Sequence, residues 1–181
     1  MRSVPASGFM RVLTGAGTSH VVGIPDNSSA GLFDALAGHS AIALVRVSRE
    51  GEAMAVAAGL WLGGARPLVV IQNTGLLESG DALRGTLARM AAPVPILVTA
   101  RGYGKMSAAG LIPAPRPPRD LLVRPDVDSV ALLTEPTLDA WGIPFRRWDG
   151  GEVEVLADFL SSVEAGGWPA ALIFTGTVTA S

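Results

Sequence analysis

Short runs of β-branched and apolar residues alternate along this chain with Ala- and Leu-rich segments of helical length, and this alternation limits the fold more than any other feature. Runs such as PLVVIQ at 67–72 and VPILVTA at 94–100 are apolar at nearly every position, which is typical of strands covered on both faces. Strands that alternate with helices build βαβ units. The sequence therefore predicts one three-layer α/β domain, with a mostly parallel six-stranded sheet and helices on both faces.

The same pattern places the individual elements. The predicted strands are 19–24, 41–47, 67–72, 94–100, 143–148 and 169–175. The predicted helices are 4–15, 28–37, 50–63, 79–91, 127–141 and 151–165. The predicted helix caps are the N-cap residues Asp26, Ser28 and Ser79 and the C-terminal glycines Gly38, Gly64 and Gly142.

Length and composition narrow the classes of function. A chain of 181 residues supports one sizeable core, so we expect residues 1–181 to form a single domain. The formal net charge of −2, without a block of like charge, argues against a nucleic-acid partner. The N-terminal segment lacks a signal-peptide core, and no apolar run approaches the roughly 18 residues of a membrane span, so we expect a cytoplasmic protein without membrane contact.

Two further features of the composition bear on partners and metals. The hydrophobic fraction of 49% is high for a lone domain, which indicates either an Ala-rich core or an apolar surface covered by a partner chain. The chain has no cysteine, and His20 and His39 have no acidic neighbours at metal-ligand spacing. We therefore predict no metal site in this chain.

The segment at 101–125 interrupts the alternation of strands and helices. It contains five prolines and five basic residues against one acid, Asp120. Proline at this density predicts a long loop, and loops of this length in compact domains are usually functional or mobile. Two interpretations remain open, a solvated surface loop and a lid that meets an anionic substrate.

Polar residues follow each of the first four predicted strands. They are Pro25, Asp26 and Asn27 after the first strand, Arg49 and Glu50 after the second, Gln72 to Gly75 after the third, and Arg101 after the fourth. In parallel sheets the carboxyl ends of the strands lie at one edge, where α/β proteins bind their ligands. We therefore expect these residues to lie close together.

Three motifs, in this order and at these separations, resemble one family. They are GIPDN at 23–27, REGEAMAVAAGLWLGG at 49–64 and QNTGLLESGDAL at 72–83. Together they are similar to the pyrimidine-binding (PYR) domain of thiamine-diphosphate enzymes, and most similar to the α subunits of sulfopyruvate and phosphonopyruvate decarboxylases. The sequence departs from that group at Arg49 in place of Asn, at Thr74 in place of Ser, and in the proline-rich segment.

The resemblance implies a role for each matched position. Glu50 would be the catalytic residue, which hydrogen-bonds the aminopyrimidine of thiamine diphosphate and activates the cofactor. Glu50 and the segment Gln72, Asn73, Thr74 and Gly75 would bind that cofactor. Pro25, Asp26, Asn27, Arg101 and Lys105 would contact the substrate, an anionic 2-oxo acid. A second interpretation of Glu50, and the preferred one for Glu52, is an acid favoured by the positive end of a helix dipole.

The second half of a thiamine-diphosphate site is missing from this sequence. The family holds Mg²⁺ and the diphosphate with a Gly-Asp-Gly motif and a downstream Asn, and no Asn follows Asn73 here. The resemblance therefore implies that a separate β subunit, the PP-domain chain, holds Mg²⁺ and shares the cofactor. It also implies a hetero-oligomer that contains a dimer of this chain.

Three alternatives to a decarboxylase subunit stay open at this point. A thiamine-diphosphate-dependent carboligase subunit would use the same residues. A regulatory or binding subunit would keep the fold without the chemistry. A flavodoxin-like binding domain unrelated to thiamine would also show the same alternation of strands and helices.

Overall fold

The centre of the fold is a six-stranded parallel sheet in the computed structural model, which describes residues 2–180. Its strands are β2 (His20–Gly23), β3 (Ala43–Arg46), β4 (Pro67–Gln72), β5 (Pro95–Thr99), β6 (Phe145–Trp148) and β7 (Ala170–Phe174). Their order across the sheet is β3-β2-β4-β5-β7-β6, and every neighbouring pair is parallel. A separate parallel pair joins β1 (Ser3–Pro5) to β8 (Thr177–Thr179).

Helices connect these strands. Their bounds are α1 (Ala6–Gly15), α2 (Ala30–Leu36), α3 (Glu50–Leu62), α4 (Asn73–Glu78), α5 (Gly80–Leu83), α6 (Tyr103–Ala108), α7 (Arg119–Leu122), α8 (Ser129–Ala140) and α9 (Glu154–Gly166). A π-helical turn, Arg84–Ala88, continues α5. No helix within 2–180 is long and apolar enough to cross a membrane.

The helices cover both faces of the sheet. Apolar residues of α3 and α8 pack on one face with the side chains of Val69, Ile71 and Val98. Those of α1, α2 and α9 pack on the other face with Val70, Leu97 and other alternate residues of the same strands. Two buried clusters separated by one sheet make the three-layer α/β fold that the sequence predicts, so this prediction is confirmed.

The predicted helix at 79–91 is wrong in its start and its continuity. The chain turns into α4 at Asn73, directly after β4, and breaks at Ser79 before α5 begins. Ser79 is buried and donates its hydroxyl to the carbonyl of Leu76, so it does not cap a helix with its side chain. The predicted cap at Ser28 is also displaced, because α2 has Ser29 as its N-cap. Gly64 and Gly142 do have the positive φ expected of C-terminal glycines.

The proline-rich segment at 101–125 contains two short helices, so its interpretation as a loop without elements is wrong. α6 forms because Tyr103 and Met106 lie on one side of a helical turn and are both buried against the core. α7 is a single turn that begins directly after Pro118, where proline in extended backbone suits a helix start. The remainder of the segment, from Gly110 to Pro118, is irregular.

Candidate active site

The sheet order brings four of the predicted polar strand ends together. Because β3, β2, β4 and β5 are neighbours, Glu50, Asp26, Gln72 and Arg101 follow them along one carboxyl edge. The helix after β2 covers one face of the sheet, and the helices after β4 cover the other. Adjacent strands whose connections leave towards opposite faces leave a crevice between them, where ligands bind in α/β proteins. We call this the β2–β4 crevice.

Glu50 is the first residue of α3 and is half-buried. Within residues 2–180, no group donates a hydrogen bond to its carboxylate and no cation forms an ion pair with it. Its side chain lies against Gly75 of α4, so closely that a Cβ at position 75 would overlap it. Glycine at position 75 therefore leaves room for the carboxylate in this position, and Glu50 has its hydrogen-bonding capacity available for a group outside the chain.

Two other acids neutralise the start of α3. The carboxylate of Glu78 accepts a hydrogen bond from the backbone N–H of Gly51 at 3.0 Å and pairs with Arg49. The hydrogen bond from Arg49 and the one from Gly51 hold the pKa of Glu78 below its usual value. Glu52 accepts from the backbone N–H of Ser48, just before the helix, at 2.9 Å. Glu52 thus has a structural role at the start of the helix, as preferred for it from the sequence. Glu50 is the acid of this first turn that accepts no hydrogen bond within residues 2–180.

Asp26 has the opposite environment and is surrounded by donors. One oxygen accepts from the backbone N–H and the hydroxyl of Ser29, at 2.9 and 2.6 Å, and the other from Gln72 at 3.0 Å and Thr99 at 2.7 Å. Burial alone would raise the pKa of Asp26, but these hydrogen bonds outweigh it and hold the pKa below its ordinary value. Asp26 is therefore a fixed anion that joins β2, β4 and β5 beneath the crevice.

Most polar side-chain groups of residues 72–75 form hydrogen bonds within the chain. The amide of Gln72 donates to Asp26, and its carbonyl oxygen accepts from the hydroxyl of Thr74 at 3.2 Å. The fully buried Asn73 donates to the carbonyl of Arg101 at 2.9 Å and to Thr134, and accepts from the N–H of Arg101 at 3.1 Å. Thr74 is exposed beside the crevice. These contacts build the wall of the crevice, and cofactor binding by residues 72–75 remains a prediction.

The predicted substrate-contacting residues beyond Asp26 differ in their partners within the chain. Pro25 and Asn27 are exposed at its rim, after β2. Arg101 directs its guanidinium to Asp128, at 3.0 Å from Nε to Oδ2, so the ion pair turns it towards the N-cap of α8. Lys105 is exposed on α6. Their roles in substrate binding also remain predictions.

Sequence reasoning missed the partners that leave Glu50 free. Glu78 lies in the third motif, but nothing in the sequence indicates that it returns to Arg49 and Gly51 across 29 and 27 positions. It also missed the cluster in which the buried side chains of Tyr103 and Glu135 contact each other and Glu135 pairs with the half-exposed Arg147 of β6. No group of three or more His, Cys, Asp or Glu side chains is placed to hold a metal ion in the part of the chain that the structure describes.

The fold and the crevice define an α/β domain that presents one free carboxylate at the start of a helix. A family model described as thiamine pyrophosphate enzyme, N-terminal TPP binding domain, matches residues 6–110. Because this match covers more than half of the chain, the chain belongs to the family of thiamine pyrophosphate enzymes through this domain. The resemblance noted from the three sequence motifs is confirmed.

Two relatives extend the comparison. Phosphonopyruvate decarboxylase of Streptomyces hygroscopicus is 35% identical over 99 residues, which is 55% of this chain and 25% of that protein. Sulfopyruvate decarboxylase of Methanosarcina acetivorans is 32% identical over 69 residues, which is 38% of this chain and 18% of that protein. The chain thus spans a quarter or less of the length of these relatives.

Solved structures show the same fold across nearly the whole chain. Benzoylformate decarboxylase from Polynucleobacter necessarius superposes with a TM-score of 0.61 at 18% identity, over 97% of this chain and 30% of that one. A 4-hydroxybenzoylformate decarboxylase from Rhodococcus jostii gives a TM-score of 0.58 at 12% identity, over 97% of this chain and 32% of that one. At such identities the likeness shows the fold.

Proposed function

We propose that this chain is the α-type subunit of a two-subunit thiamine-diphosphate-dependent 2-oxo acid decarboxylase. The free carboxylate of Glu50 carries the proposal, because a half-buried acid without a hydrogen-bond or ion-pair partner among residues 2–180 is suited to bind a group from outside. Membership of the thiamine pyrophosphate family supports the choice of cofactor. The names of the two relatives support a 2-oxo acid with a second anionic group as substrate.

The residues of the β2–β4 crevice fit the pyrimidine half of the cofactor. Glu50 would share a proton between its carboxyl oxygen and the N1′ nitrogen of the aminopyrimidine, and the absence of a side chain at Gly75 makes room for its carboxylate. When bound, thiamine diphosphate supplies the carbon nucleophile and the electron sink that decarboxylation of a 2-oxo acid needs. Glu78 and Glu52 already satisfy groups at the start of α3, so Glu50 need not serve as the helix-terminal anion.

The other half of the site would come from a β subunit. The chain lacks the Gly-Asp-Gly and downstream Asn that hold Mg²⁺ and the diphosphate in the family, and we assign both to the partner. α3 supports an interface, because beyond its first turn the exposed positions Ala55, Gly59 and Leu62 carry no polar side chain, as its buried positions do not. A helix that is apolar all round is normally covered by protein. The assembly we propose is a cytoplasmic hetero-oligomer that contains a dimer of this chain.

Substrate contacts would come from the rim of the crevice. Asn27 and Pro25 lie on one side, and Arg101 and Lys105 on the segment after β5. The guanidinium of Arg101 still has N–H groups beyond its bond to Asp128, and Lys105 is exposed. Two cations beside the crevice suit a sulfonate or phosphonate group on the substrate. Asp26 would hold the strand ends in register beneath it.

The test is decarboxylation by this chain co-expressed with its candidate Mg²⁺-binding subunit. A panel of 2-oxo acids that includes sulfopyruvate and phosphonopyruvate is assayed with and without thiamine diphosphate. Glu50→Gln should lower turnover by about 100-fold or more, the usual contribution of a positioned acid or base, while complex formation is unchanged. The matched control is Glu52→Gln, one residue from the same helix start, which should retain activity.

Either of two results contradicts the proposal. If the chains assemble but Glu50→Gln and Glu52→Gln are as active as the unmodified chain, Glu50 is only a helix-terminal acid and the chain is a non-catalytic subunit. If turnover needs an added acceptor aldehyde and gives a longer carbon chain, the complex is a carboligase.

A further inference from the structure

The carboxyl edge of the sheet has a second crevice, between β5 and β7. After β5 the chain passes to α8 on the face that α3 also covers, and after β6 it passes to α9 on the opposite face before returning to β7. After β7 the chain passes to β8, whose Val178 packs in the same cluster as α9. The connections after the neighbouring strands β5 and β7 therefore leave towards opposite faces, as they do at the β2–β4 crevice. By the rule that applies to the first crevice, this position is also suited to a ligand.

A cavity of about 810 Å³ occupies this position. Residues that follow β5, β6 and β7 all line it, including Tyr103, Ile112, Asp149 and Thr175. None of Glu50, Asp26 or Gln72 is among its lining residues. We call it the β5–β7 cavity, and its volume lies in the range of small-molecule sites.

Arg147 lines the cavity, and the carboxylate of Glu135 fixes the position of its guanidinium. Two nitrogens of the Arg147 guanidinium bind the carboxylate of Glu135. Nε lies 2.6 Å from Oε1, and Nη2 lies 2.7 Å from Oε2. Tyr103 donates its hydroxyl to the same carboxylate at 3.1 Å. The Glu135 side chain is only 9% exposed whereas that of Arg147 is 51% exposed, so the acid is buried and the guanidinium reaches the cavity.

Burial of a carboxylate costs free energy, and a buried ion pair often stabilises a fold no more than apolar residues of similar size would. A gain in stability is therefore a weak explanation for the burial of Glu135. An arginine whose orientation is fixed by a buried acid and a tyrosine is the arrangement used to preorganise a binding group. Burial of the Tyr103 phenol, followed by the nearby Glu135 charge, raises its pKa, so the phenol stays protonated as a donor to Glu135. The Glu135 network therefore keeps one face of Arg147 directed at the cavity.

The groups that remain free indicate the class of ligand. Arg147 keeps N–H donors that Glu135 does not use, and Arg2 keeps donors beyond its pair with Asp149, at 3.3 Å from Nε to Oδ2. Ile112 and Pro113, with Val155 across the cavity, supply apolar walls. From this combination we infer that the β5–β7 cavity binds a small organic anion that has one carboxylate-like group and a short apolar body. The inference does not depend on the proposed function of the β2–β4 crevice.

The test is binding of three probes to the full 181-residue chain, followed by amide chemical shifts in ¹H–¹⁵N spectra. Hexanoate has both the anion and the apolar body, hexan-1-ol lacks the anion, and inorganic phosphate lacks the apolar body. Hexanoate should bind with a Kd below about 1 mM and at least about 10-fold more tightly than the other two. It should shift the amides of Gly104 and Thr175, which line the cavity, and leave those of Gly51 and Gly75 unchanged.

An exposed residue in the wall of the β5–β7 cavity allows ligand binding to be tested without disturbing the fold. Ile112→Glu places a negative charge at the cavity, and since Ile112 is 79% exposed the fold should tolerate it. The control is Val123→Glu in the same segment, where Val123 is 80% exposed and does not line the cavity. We expect hexanoate binding to weaken about 10-fold or more in Ile112→Glu and to be unchanged in Val123→Glu.

Four results would overturn the inference. Equal binding of hexanoate and hexan-1-ol would make the cavity an apolar groove without anion selectivity. Shifts confined to Gly51 and Gly75 would place the anion in the β2–β4 crevice. Failure of hexanoate to bind at up to about 10 mM, or equal binding to Ile112→Glu and Val123→Glu, would remove the site altogether.

Discussion

Glu50 at the β2–β4 crevice and Glu135 beside the β5–β7 cavity are both acids withdrawn from bulk water, yet the chain surrounds them differently. Glu135 receives hydrogen bonds from Arg147 and Tyr103. Glu50 receives none from residues 2–180. A paired buried acid contributes to the structure of the chain that contains it. An unpaired acid in a crevice is suited to a ligand, and under the proposed function Glu50 is the one of these two acids that performs chemistry.

The largest effect that we predict is a loss of activity on substitution of Gly75, which lies against Glu50. Gly75→Ala places a methyl group where the Glu50 side chain lies, so the carboxylate must move. Under the proposed function we expect turnover of the co-expressed complex to fall about 100-fold, because misplacing a catalytic group by about 1 Å has effects of this size. The control is Gly85→Ala, since a Cβ at position 85 meets no atom within 4 Å. Full activity of Gly75→Ala would show that the position of Glu50 is not important.

The second prediction compares the contributions of the Glu135 and Glu50 sites to the free energy of unfolding. Arg147→Met leaves Glu135 buried without its cation and should lower the free energy of unfolding by about 2 kcal/mol, less than for a fully buried pair because Arg147 is half-exposed. Glu50→Gln should change it by less than about 0.5 kcal/mol, because no bond within the chain is lost. Urea denaturation of the isolated chain measures both, with Arg146→Met on the same strand as control. Equal losses at the two sites would contradict the comparison.

A smaller effect should appear in the pH dependence of stability. Hydrogen bonds hold the pKa of Asp26 below its unfolded value, so its ionised form stabilises the fold above about pH 4, the unfolded pKa of an Asp. This contribution should be lost as the pH falls through the lower folded pKa. The difference in unfolding free energy between the unmodified chain and Asp26→Asn should therefore shrink below pH 4. A difference that stays constant down to pH 2 would show that Asp26 does not titrate with folding.

The sequence allowed the sheet to be predicted because its central strands, such as PLVVIQ at 67–72, are apolar on both faces and bounded by turn residues. It did not reveal β1 and β8, because each has only three residues and pairs only with the other at the far end of the chain. α6 was missed because Gly102 and Gly104, with the prolines beyond them, obscured the pair of buried residues that forms the helical turn.

The candidate site shows the same limit. Strand ends and the family motifs were enough to locate Glu50, Asp26 and Gln72 at one edge, because topology alone brings them there. Which acid stays free depends on contacts between positions far apart, such as Glu78 with Gly51 and Glu135 with Arg147. Such pairs have no local signal in the sequence. Their detection requires the packed structure.

The pairing of β1 with β8 has a consequence for how the protein opens. The two strands are separated by more than 170 positions, so closing the chain between them carries the largest entropy loss of any strand pair in the fold. Contacts of such high sequence separation tend to form late, and a three-residue pair has few hydrogen bonds to resist local opening. In hydrogen exchange, the amide of Thr177, which donates to the carbonyl of Arg2 beside β1, should therefore lose protection long before those of β4 and β5, while the main sheet stays closed.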